Sequence, residues 1–346
     1  MSAEAMVMPS LISGLDDAWL ARSHEEIIEP DLPICDPHHH LWQRDGHPYL
    51  LTDFLLDAGS GHNVVSTVYL ECGSFYRTQG PPEQRSVGEA EFVAGIGAMS
   101  DSGCYGASRV AAAFVGYADL RLGARVAPVL EALAAAAGGR FRGVRQAAAW
   151  DPGFVIASSH GRPDPGLYRD AIFRQGIAVL GRMGLTFDAW VYHPQISDVV
   201  DLARTFPELP VVLNHVGGPI GIGHYAGRRD EVFADWSAAM RDLSACPNVH
   251  VKLGGLGSKR AGFGWHERPE PPTSQELANA WRPYVDTCIE AFGAGRCMFE
   301  SNFPVDKASC TYAALWNAFK RLASGASPAE KADLFRDTAQ RFYRLA

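Results

Sequence analysis

Eight short apolar runs recur along the chain, and each is about as long as a β-strand. They are ICDPH (34–38), VVSTVYLE (64–71), RVAAAFVGY (109–117), FRGVRQ (141–146), LTFDAWVYH (185–193), PVVLNH (210–215), VHVKLGG (249–255) and RCMFES (296–301). Most of them are too apolar to have one face in water, which is typical of parallel strands covered by helices on both faces. This recurrence restricts the chain to folds built around a parallel sheet.

Helical patterns fill the gaps between the runs. Residues 124–139 carry apolar side chains at helical spacing, and residues 273–293 open with Thr273 and Glu276, the spacing of a capping box. A strand followed by a helix, repeated about eight times, predicts an α/β fold of the (β/α)8 TIM-barrel type. A doubly wound open sheet is less favoured because no GxGxxG turn follows the first run.

The same pattern predicts the domain organisation. Residues 1–32 precede the first run and are expected to form an N-terminal arm, while residues 33–346 are expected to form a single barrel. Two long connections, residues 72–106 and 254–272, each follow a strand and are therefore expected at the C-terminal face of the barrel. Active sites of TIM barrels lie at this face, and long loops in compact domains usually carry function.

Composition excludes several classes of function. With 31 basic and 39 acidic residues and a formal net charge of -8, the chain lacks the basic footprint of a nucleic-acid binder. No stretch reaches the roughly 18 apolar residues of a membrane span, and no targeting signal is visible. The seven cysteines have no CxxC spacing and are expected to be reduced and buried in a cytoplasmic protein. We expect a small-molecule substrate as partner, with homo-oligomers left open.

Four histidines lie at the ends of the predicted strands. His38 and His40 share one face of the first strand by alternation, and His39 points away. His193 closes the fifth run and His215 the sixth. Spacing alone leaves a metal-binding pair and a hydrogen-bonded polar rim equally plausible. Four imidazoles that converge on one mouth are hard to explain as packing, because each needs a partner away from water.

The motifs around these histidines resemble a known family. DPHHHLW, GVR, VYHPQ, VVLNHVGGP, VHVKLGGL and MFESNFPVD occur in this order across residues 34–306. Together they resemble the amidohydrolase superfamily in its amidohydrolase-2 branch of metal-dependent barrel hydrolases. The branch includes sugar-acid lactonases and 2-pyrone-4,6-dicarboxylate lactonase, and metal-dependent decarboxylases of aromatic acids are relatives. The resemblance implies a hydrolase that opens a lactone or related cyclic ester of a small carboxylated or sugar-acid substrate.

The resemblance also implies roles for the histidines. His38 and His40 match the metal-ligand pair, and His193 matches a third ligand or a substrate contact. His215 matches the histidine that polarises the substrate or transfers a proton. One divalent metal, zinc or manganese, is implied, and operation without a metal stays open.

Other candidate residues surround the expected pocket. Arg145 and Lys252 match basic positions near the substrate in the lactonases. Glu71 closes the second run and is either a solvated rim carboxylate or a partner that fixes the tautomer of a histidine. Trp42 is a candidate wall of the pocket.

The chain departs from the family at the eighth strand. The family commonly has Ser-Asp-x-Pro there, whereas this chain has SNFP at 301–304, with Asn302 in the aspartate's position. A neutral amide cannot take a proton from water at pH 7. The candidates for a replacement base are His215, His193, Glu300 and Asp306. We favour Asn302 orienting a water while one of these acts as base, over a non-oxidative decarboxylase of an aromatic acid or a barrel that binds without catalysing.

Overall fold

The computed structural model describes residues 6–8, 15–44, 47–156 and 160–345, and its centre is one parallel sheet of eight strands. The strands are β1 Pro33–His39, β2 Asn63–Leu70, β3 Arg109–Gly116, β4 Phe141–Ala147, β5 Thr186–Trp190, β6 Val211–Leu213, β7 Val249–Leu253 and β8 Cys297–Phe299. Each strand pairs in parallel with the next one in the chain. The sheet closes just beyond β8, where Phe303 forms a parallel bridge with His39. The predicted (β/α)8 barrel is confirmed.

Helices surround the sheet and alternate with its strands. They are α1 Asp17–Leu20, α2 Leu51–Ala58, α3 Val87–Asp101, α4 Ala127–Ala136, α5 Ala171–Arg182, α6 Ile196–Thr205, α7 Arg229–Ser244, α8 Ser274–Phe292, α9 Tyr312–Leu322, α10 Pro328–Ala332 and α11 Thr338–Tyr343. The predicted capping box opens α8, since Thr273 Oγ1 accepts from the amide of Glu276 at 3.2 Å and the Glu276 carboxylate accepts from the amide of Thr273. None of the described helices combines the length and apolarity needed to cross a bilayer.

Apolar side chains of the strands pack inside the barrel against the C-terminal helix. Side chains from the strands, among them Val68, Val115 and Met298, pack with Phe342 and Tyr343 of α11. The phenyl ring of Phe342 lies 4.9 Å from the ring of His250 near the start of β7. The C-terminal helix therefore covers the apolar interior of the barrel, and the hydroxyl of Tyr343 reaches Asp188, to which it donates at 2.9 Å.

The described part of the predicted arm packs against the outside of the barrel. The amide of Ile28 donates to Asn317 of α9 at 2.9 Å, and the indole of Trp19 donates to the carbonyl of Arg268 at 2.9 Å. A separate two-stranded parallel sheet pairs Met6–Met8 with Phe154–Ile156. The arm is thus tied to three segments far along the sequence.

Candidate active site

Polar side chains from seven of the eight strands converge at the C-terminal end of the barrel. All are less than a tenth exposed: His38, His40, Glu71, Arg145, Asp188, His215, Lys252 and Glu300. Parallel strands in a barrel deliver the residues at their C-terminal ends to one mouth, so separation in sequence does not separate them in space. The mouth is therefore a buried cluster of imidazoles, carboxylates and cations.

Glu300 lies between two of the predicted histidines. Its Oε1 accepts from both the amide and Nδ1 of His215, at 3.0 and 2.7 Å, and its Oε2 lies 2.6 Å from Nδ1 of His38. A carboxylate at Nδ1 orients each ring and directs its Nε2 away. Nε2 of His215 forms no hydrogen bond with any described residue. One carboxyl group thus sets the orientation of two imidazoles.

Burial governs protonation in this pair. It raises the pKa of Glu300 to about 7, although Lys252 and the amide of His215 act in the opposite direction. It also lowers the pKa of His215 well below the ordinary value, and the positive charges of Arg260 and Arg145 lower it further. The imidazole of His215 is therefore neutral at pH 7 and able to accept a proton.

The backbone around His215 is shaped for this placement. His215 has φ 55° and Val216 has φ 46°, so both residues lie in the left-handed region. Gly255 packs against the imidazole, and a Cβ atom at that position would lie 2.6 Å from the Cβ, Cγ and Nδ1 atoms of His215. The VKLGG motif therefore leaves room for the histidine at the end of the neighbouring strand.

His38 and His40 point ring nitrogens at each other, as the alternation predicts. Nδ1 of His40 lies 2.8 Å from the carbonyl of Leu70 and must carry its proton, which leaves a lone pair on Nε2. Nε2 of His38 lies 3.2 Å from this atom and accepts from Nη1 of Arg145 at 3.1 Å. Two lone pairs thus face one another beside a cation.

Arg145 is held by a buried carboxylate. Its Nε donates to Oε1 of Glu71 at 2.7 Å, its Nη2 donates to the Glu71 carbonyl, and Nε2 of His160 lies 2.6 Å from Oε2 of Glu71. Burial acts to raise the pKa of Glu71, but Arg145 and His160 hold it well below its usual range. Glu71 is 3% exposed, so the alternative of a solvated rim carboxylate is wrong.

Lys252 is paired within the protein. Its Nζ donates to Asp188 Oδ2 at 2.8 Å and to the carbonyl of Pro37 at 2.9 Å, and lies 3.5 Å from Nδ1 of His38. Asp188 also accepts from Asn214 and Tyr343. The arrangement makes Lys252 a support beneath His38, and the prediction that it contacts substrate gains no support from it.

Asn302 joins the strand-8 end to the loop beyond it. Its amide N–H donates to the carbonyl of His38 at 2.9 Å, and its Nδ2 donates to Asp306 Oδ1 at 2.7 Å. Asn302 has φ 54°, a conformation that Asn tolerates better than most residues. Asp306 therefore reaches back to Asn302, and its other oxygen accepts from the amide of Gly257 at 2.9 Å. Burial raises the pKa of Asp306 to about 7.

Two predicted residues lie at the edge of the cluster. His193 begins a short 3-10 turn after β5, its ring lies 4.9 Å from Tyr225, and no hydrogen bond or ring contact links it to the other three histidines in the described residues. Trp42 is 1% exposed and its indole lies 6.1 Å from the ring of His40, so it supports that imidazole.

Two residues near the cluster were not predicted. His160 belongs to a Gly- and Pro-rich segment that gave no strand or helix signal, and it meets Glu71 across 89 residues. Arg260 lies in the long loop 254–272 and places its guanidinium over the indole of Trp190, 4.3 Å from the ring centroid. The length of that loop was the only sequence signal for it.

The described residues include one group suited to a metal ion. His38, His215 and Glu300 offer ligand atoms that all lie within 4.8 Å of one another. Two imidazoles and a carboxylate are donors that zinc and manganese both accept. His193, a predicted ligand, is not in this group, whereas Glu300, predicted as a candidate base, is.

Comparisons with known proteins agree with this architecture. The family model for amidohydrolase matches residues 35–345. Protein y4mH of Sinorhizobium fredii, described as uncharacterized, is 33% identical over 338 residues, 91% of this chain and 99% of that protein. An L-fucono-1,5-lactonase of Burkholderia multivorans is 31% identical over 177 residues, 51% of this chain and 57% of that enzyme.

Among solved structures, an amidohydrolase from Burkholderia multivorans with bound zinc has the same fold. It is 24% identical, the match covers 90% of this chain and 99% of that one, and the TM-score is 0.67. The family match begins at the second residue of the predicted strand-1 motif ICDPH and ends two residues beyond α11. The chain therefore belongs to the amidohydrolase family.

Proposed function

We propose that the protein hydrolyses a lactone or related cyclic ester of a small acid. The observation that carries the proposal is the pair of His215 and Glu300. Oε1 of the carboxyl group accepts from Nδ1 of the imidazole at 2.7 Å, and Nε2 has no partner among the described residues. A neutral imidazole whose tautomer is fixed by a carboxylate is a competent general base for water.

The strand-8 position fits this assignment. Asn302 cannot act as a base, and its amide nitrogen is already bound to Asp306. Moving the proton-accepting role to His215 leaves Asn302 to position the loop and the carbonyl of His38. Among the predicted replacement bases, His215 is the one that combines a free ring nitrogen with an orienting carboxylate.

Ring opening also requires stabilisation of the developing oxyanion. Arg145 is a buried guanidinium that contacts His38 and keeps unused N–H groups after its bonds to Glu71. A fixed cation in a site shielded from water stabilises a tetrahedral oxyanion without reorganising. The proton taken by His215 then returns to the alkoxide released when the ring C–O bond breaks, so that lactone and water give a hydroxy acid.

We also propose one divalent ion, zinc or manganese, as a cofactor at the group formed by His38, His215 and Glu300. Ligation by His38 and Glu300 would leave Nε2 of His215 free to accept a proton. When bound, such an ion supplies Lewis-acid polarisation of the ester carbonyl. Plasma mass spectrometry of untagged protein, purified without added metal, tests this proposal. About one metal per chain, lost in a His38→Ala/His40→Ala variant, supports it. If the chain neither carries nor takes up metal but still opens lactones, His215 and Arg145 activate the water and stabilise the oxyanion without an ion.

Decarboxylation of an aromatic acid is the second candidate function. It is favoured by Asn302, since this reaction needs no hydrolytic water, and by Glu300 and Asp306, whose pKa values of about 7 suit proton donors. The resemblance of the motifs to the branch that contains lactonases supports hydrolysis in preference.

A panel of substrates decides between the candidates. Five- and six-membered lactones, with and without a carboxylate, are followed by acid release with a pH indicator, and hydroxybenzoates are followed by release of carbon dioxide. Lactone turnover supports the proposal. Release of carbon dioxide without lactone turnover would replace the proposed hydrolysis by decarboxylation. The absence of both activities would favour a barrel that binds without catalysing.

A further inference from the structure

Arg260 is a buried cation near the proposed site, and no carboxylate of the described residues pairs with its guanidinium. It lies in the 3-10 turn Lys259–Ala261, in the loop that follows β7, and is 4% exposed. Its Nη2 atom is buried and has no hydrogen-bond partner among the residues that the structure describes. No carboxylate in the described ranges forms an ion pair with it.

The loop fixes Arg260 in this position. The amide of Gly221 donates to the carbonyl of Arg260 at 2.9 Å, and Arg229 donates to the carbonyl of Ala261 at 3.2 Å. Gly262 has φ 68°, and a Cβ there would lie 2.2 Å from the carbonyl oxygen of Gly221. Two loops are therefore locked against each other at this point, and the guanidinium is preorganised.

Arg260 and His215 contact the same indole. The guanidinium carbon of Arg260 lies 4.3 Å from the centroid of Trp190, and the ring of His215 meets Trp190 edge-on at 4.8 Å. The charge of Arg260 is also close enough to lower the pKa of His215. The unpaired cation thus lies beside the proposed base, one aromatic ring away.

Packing on Trp190 does not account for the burial. A cation–π contact is weak compared with the cost of removing a guanidinium from water. Arg229 also stacks on an aromatic ring, that of Phe263, but it donates to two backbone carbonyls. Arg145 donates to Glu71. Arg260 differs from both because the described part of the protein offers it no acceptor.

The nearest acidic groups do not fill this gap. Asp306 uses one oxygen for Asn302 and the other for the amide of Gly257. Oε1 of Glu300 accepts from Nδ1 of His215, whereas Oε2 lies 2.6 Å from Nδ1 of His38, has no hydrogen-bond partner among the described residues and forms no ion pair with Arg260. We propose that Arg260 binds a carboxylate of the substrate, so that the ester opened by this protein is an anionic lactone and not a neutral one. This inference deepens the proposed function and rests on it.

The guanidinium fork is suited to this ligand. Its planar N–H groups match the two oxygens of a carboxylate and give a bidentate contact that a lysine ammonium cannot reproduce. A neutral sugar lactone would leave Nη2 without an acceptor. The site should therefore discriminate between two substrates of the same shape that differ only in this charge.

The test uses a matched pair of probes, 5-oxotetrahydrofuran-2-carboxylate and its primary carboxamide. We expect the wild-type kcat/KM to favour the carboxylate by about 10- to 100-fold, the range for one charged hydrogen-bonded contact. In Arg260→Gln this ratio should fall close to one, and Arg260→Lys should give an intermediate ratio. Arg268→Gln is the control, because Arg268 lies on the same loop and pairs with Glu276. It should keep the wild-type ratio.

The outcomes separate this inference from the proposed function. A carboxylate preference that is absent from the wild type, or unchanged in folded Arg260→Gln, overturns the inference while lactone hydrolysis stands. If Arg260→Gln does not fold, a wild-type ratio in Arg260→Lys overturns it equally. If neither lactone is opened, calorimetric binding of 2-hydroxyglutarate decides. Binding that Arg260→Gln abolishes supports the inference although hydrolysis fails, and equal or absent binding overturns it.

Discussion

Lys252 and Arg260 are two buried cations near the same group of histidines, and they differ in their partners. Lys252 has a carboxylate, a backbone carbonyl and a histidine within 3.5 Å, all supplied by the chain. Arg260 has an aromatic ring and a buried Nη2 without a partner in the described residues. A paired buried charge is costly to disrupt, whereas an unpaired one is costly to keep unless a ligand completes it. A buried cation with partners in the chain, such as Lys252, therefore supports the fold, whereas one without them, such as Arg260, is available to a ligand.

The largest expected effect on activity comes from replacing Glu300, the carboxyl group that contacts both His38 and His215. In Glu300→Gln, the amide oxygen can still accept from His215, but the amide nitrogen would donate to Nδ1 of His38. The proton of His38 would then move to Nε2, where it opposes the N–H of Arg145. We expect kcat/KM to fall by about 10²- to 10⁴-fold, as for a wrong tautomer elsewhere. Steady-state kinetics on a lactone found in the panel measure it, and a fall under tenfold would contradict the tautomer argument.

For the buried ion pair of Lys252 and Asp188, the substitution Lys252→Met should destabilise the fold. It leaves Asp188 buried and charged without its ammonium partner, which costs about 3–5 kcal/mol. Urea denaturation measures the change in the free energy of unfolding. A second variant, Lys252→Met/Asp188→Leu, removes both charges and should recover part of the loss. A single-variant loss under about 1 kcal/mol would show that the pair is not structural.

Among the groups proposed to act on the substrate, His215 should be displaced by the substitution Gly255→Ala. The new Cβ would lie 2.6 Å from the imidazole, at a residue with φ 69°. We expect kcat/KM to fall by about 100-fold, because displacement by about 1 Å misaligns a catalytic group. Gly227→Ala is the control, since Gly227 has φ 77° and a Cβ atom added there would meet no described atom within 4 Å. Equal losses of activity in both variants would assign the effect to backbone strain alone.

The smallest effect concerns a paired histidine far from the mouth. Nε2 of His62 lies 3.1 Å from the carbonyl of Ala313 and Nδ1 lies 2.9 Å from the ammonium of Lys320, a pattern that only neutral imidazole satisfies. Burial and Lys320 lower the pKa of His62 to about 4. Its contribution to stability is therefore present above about pH 6.5 and is lost as the pH falls towards 4.

His62→Gln keeps one donor and one acceptor but does not titrate. The free energy of unfolding should therefore depend less steeply on pH between 6.5 and 4, by up to about 1.4 kcal/mol per pH unit. Urea denaturation at several pH values gives this slope. A variant with the wild-type slope would contradict the assignment.

The sequence was sufficient for the barrel and for part of the centre. Strand alternation placed His38 and His40 on one face, and the strand-end rule brought His215 to them. The partners of these groups could not be predicted from the sequence, because they depend on contacts between distant segments. Asp188 pairs with Lys252 across 64 residues, and His160 with Glu71 across 89. His193 follows a strand as predicted, but the 3-10 turn that it begins directs it towards Tyr225.

The role of His215 is tested most directly by kcat/KM of His215→Asn on a lactone that the wild type opens, with the unfolding midpoint measured alongside. We expect a loss of about 10²- to 10⁴-fold, the contribution of a general base, with a stable fold. His250→Asn, at a histidine near the start of β7 and in contact with Phe342, should keep its activity. A folded His215→Asn variant with wild-type kcat/KM would show that this imidazole does not activate the attacking water.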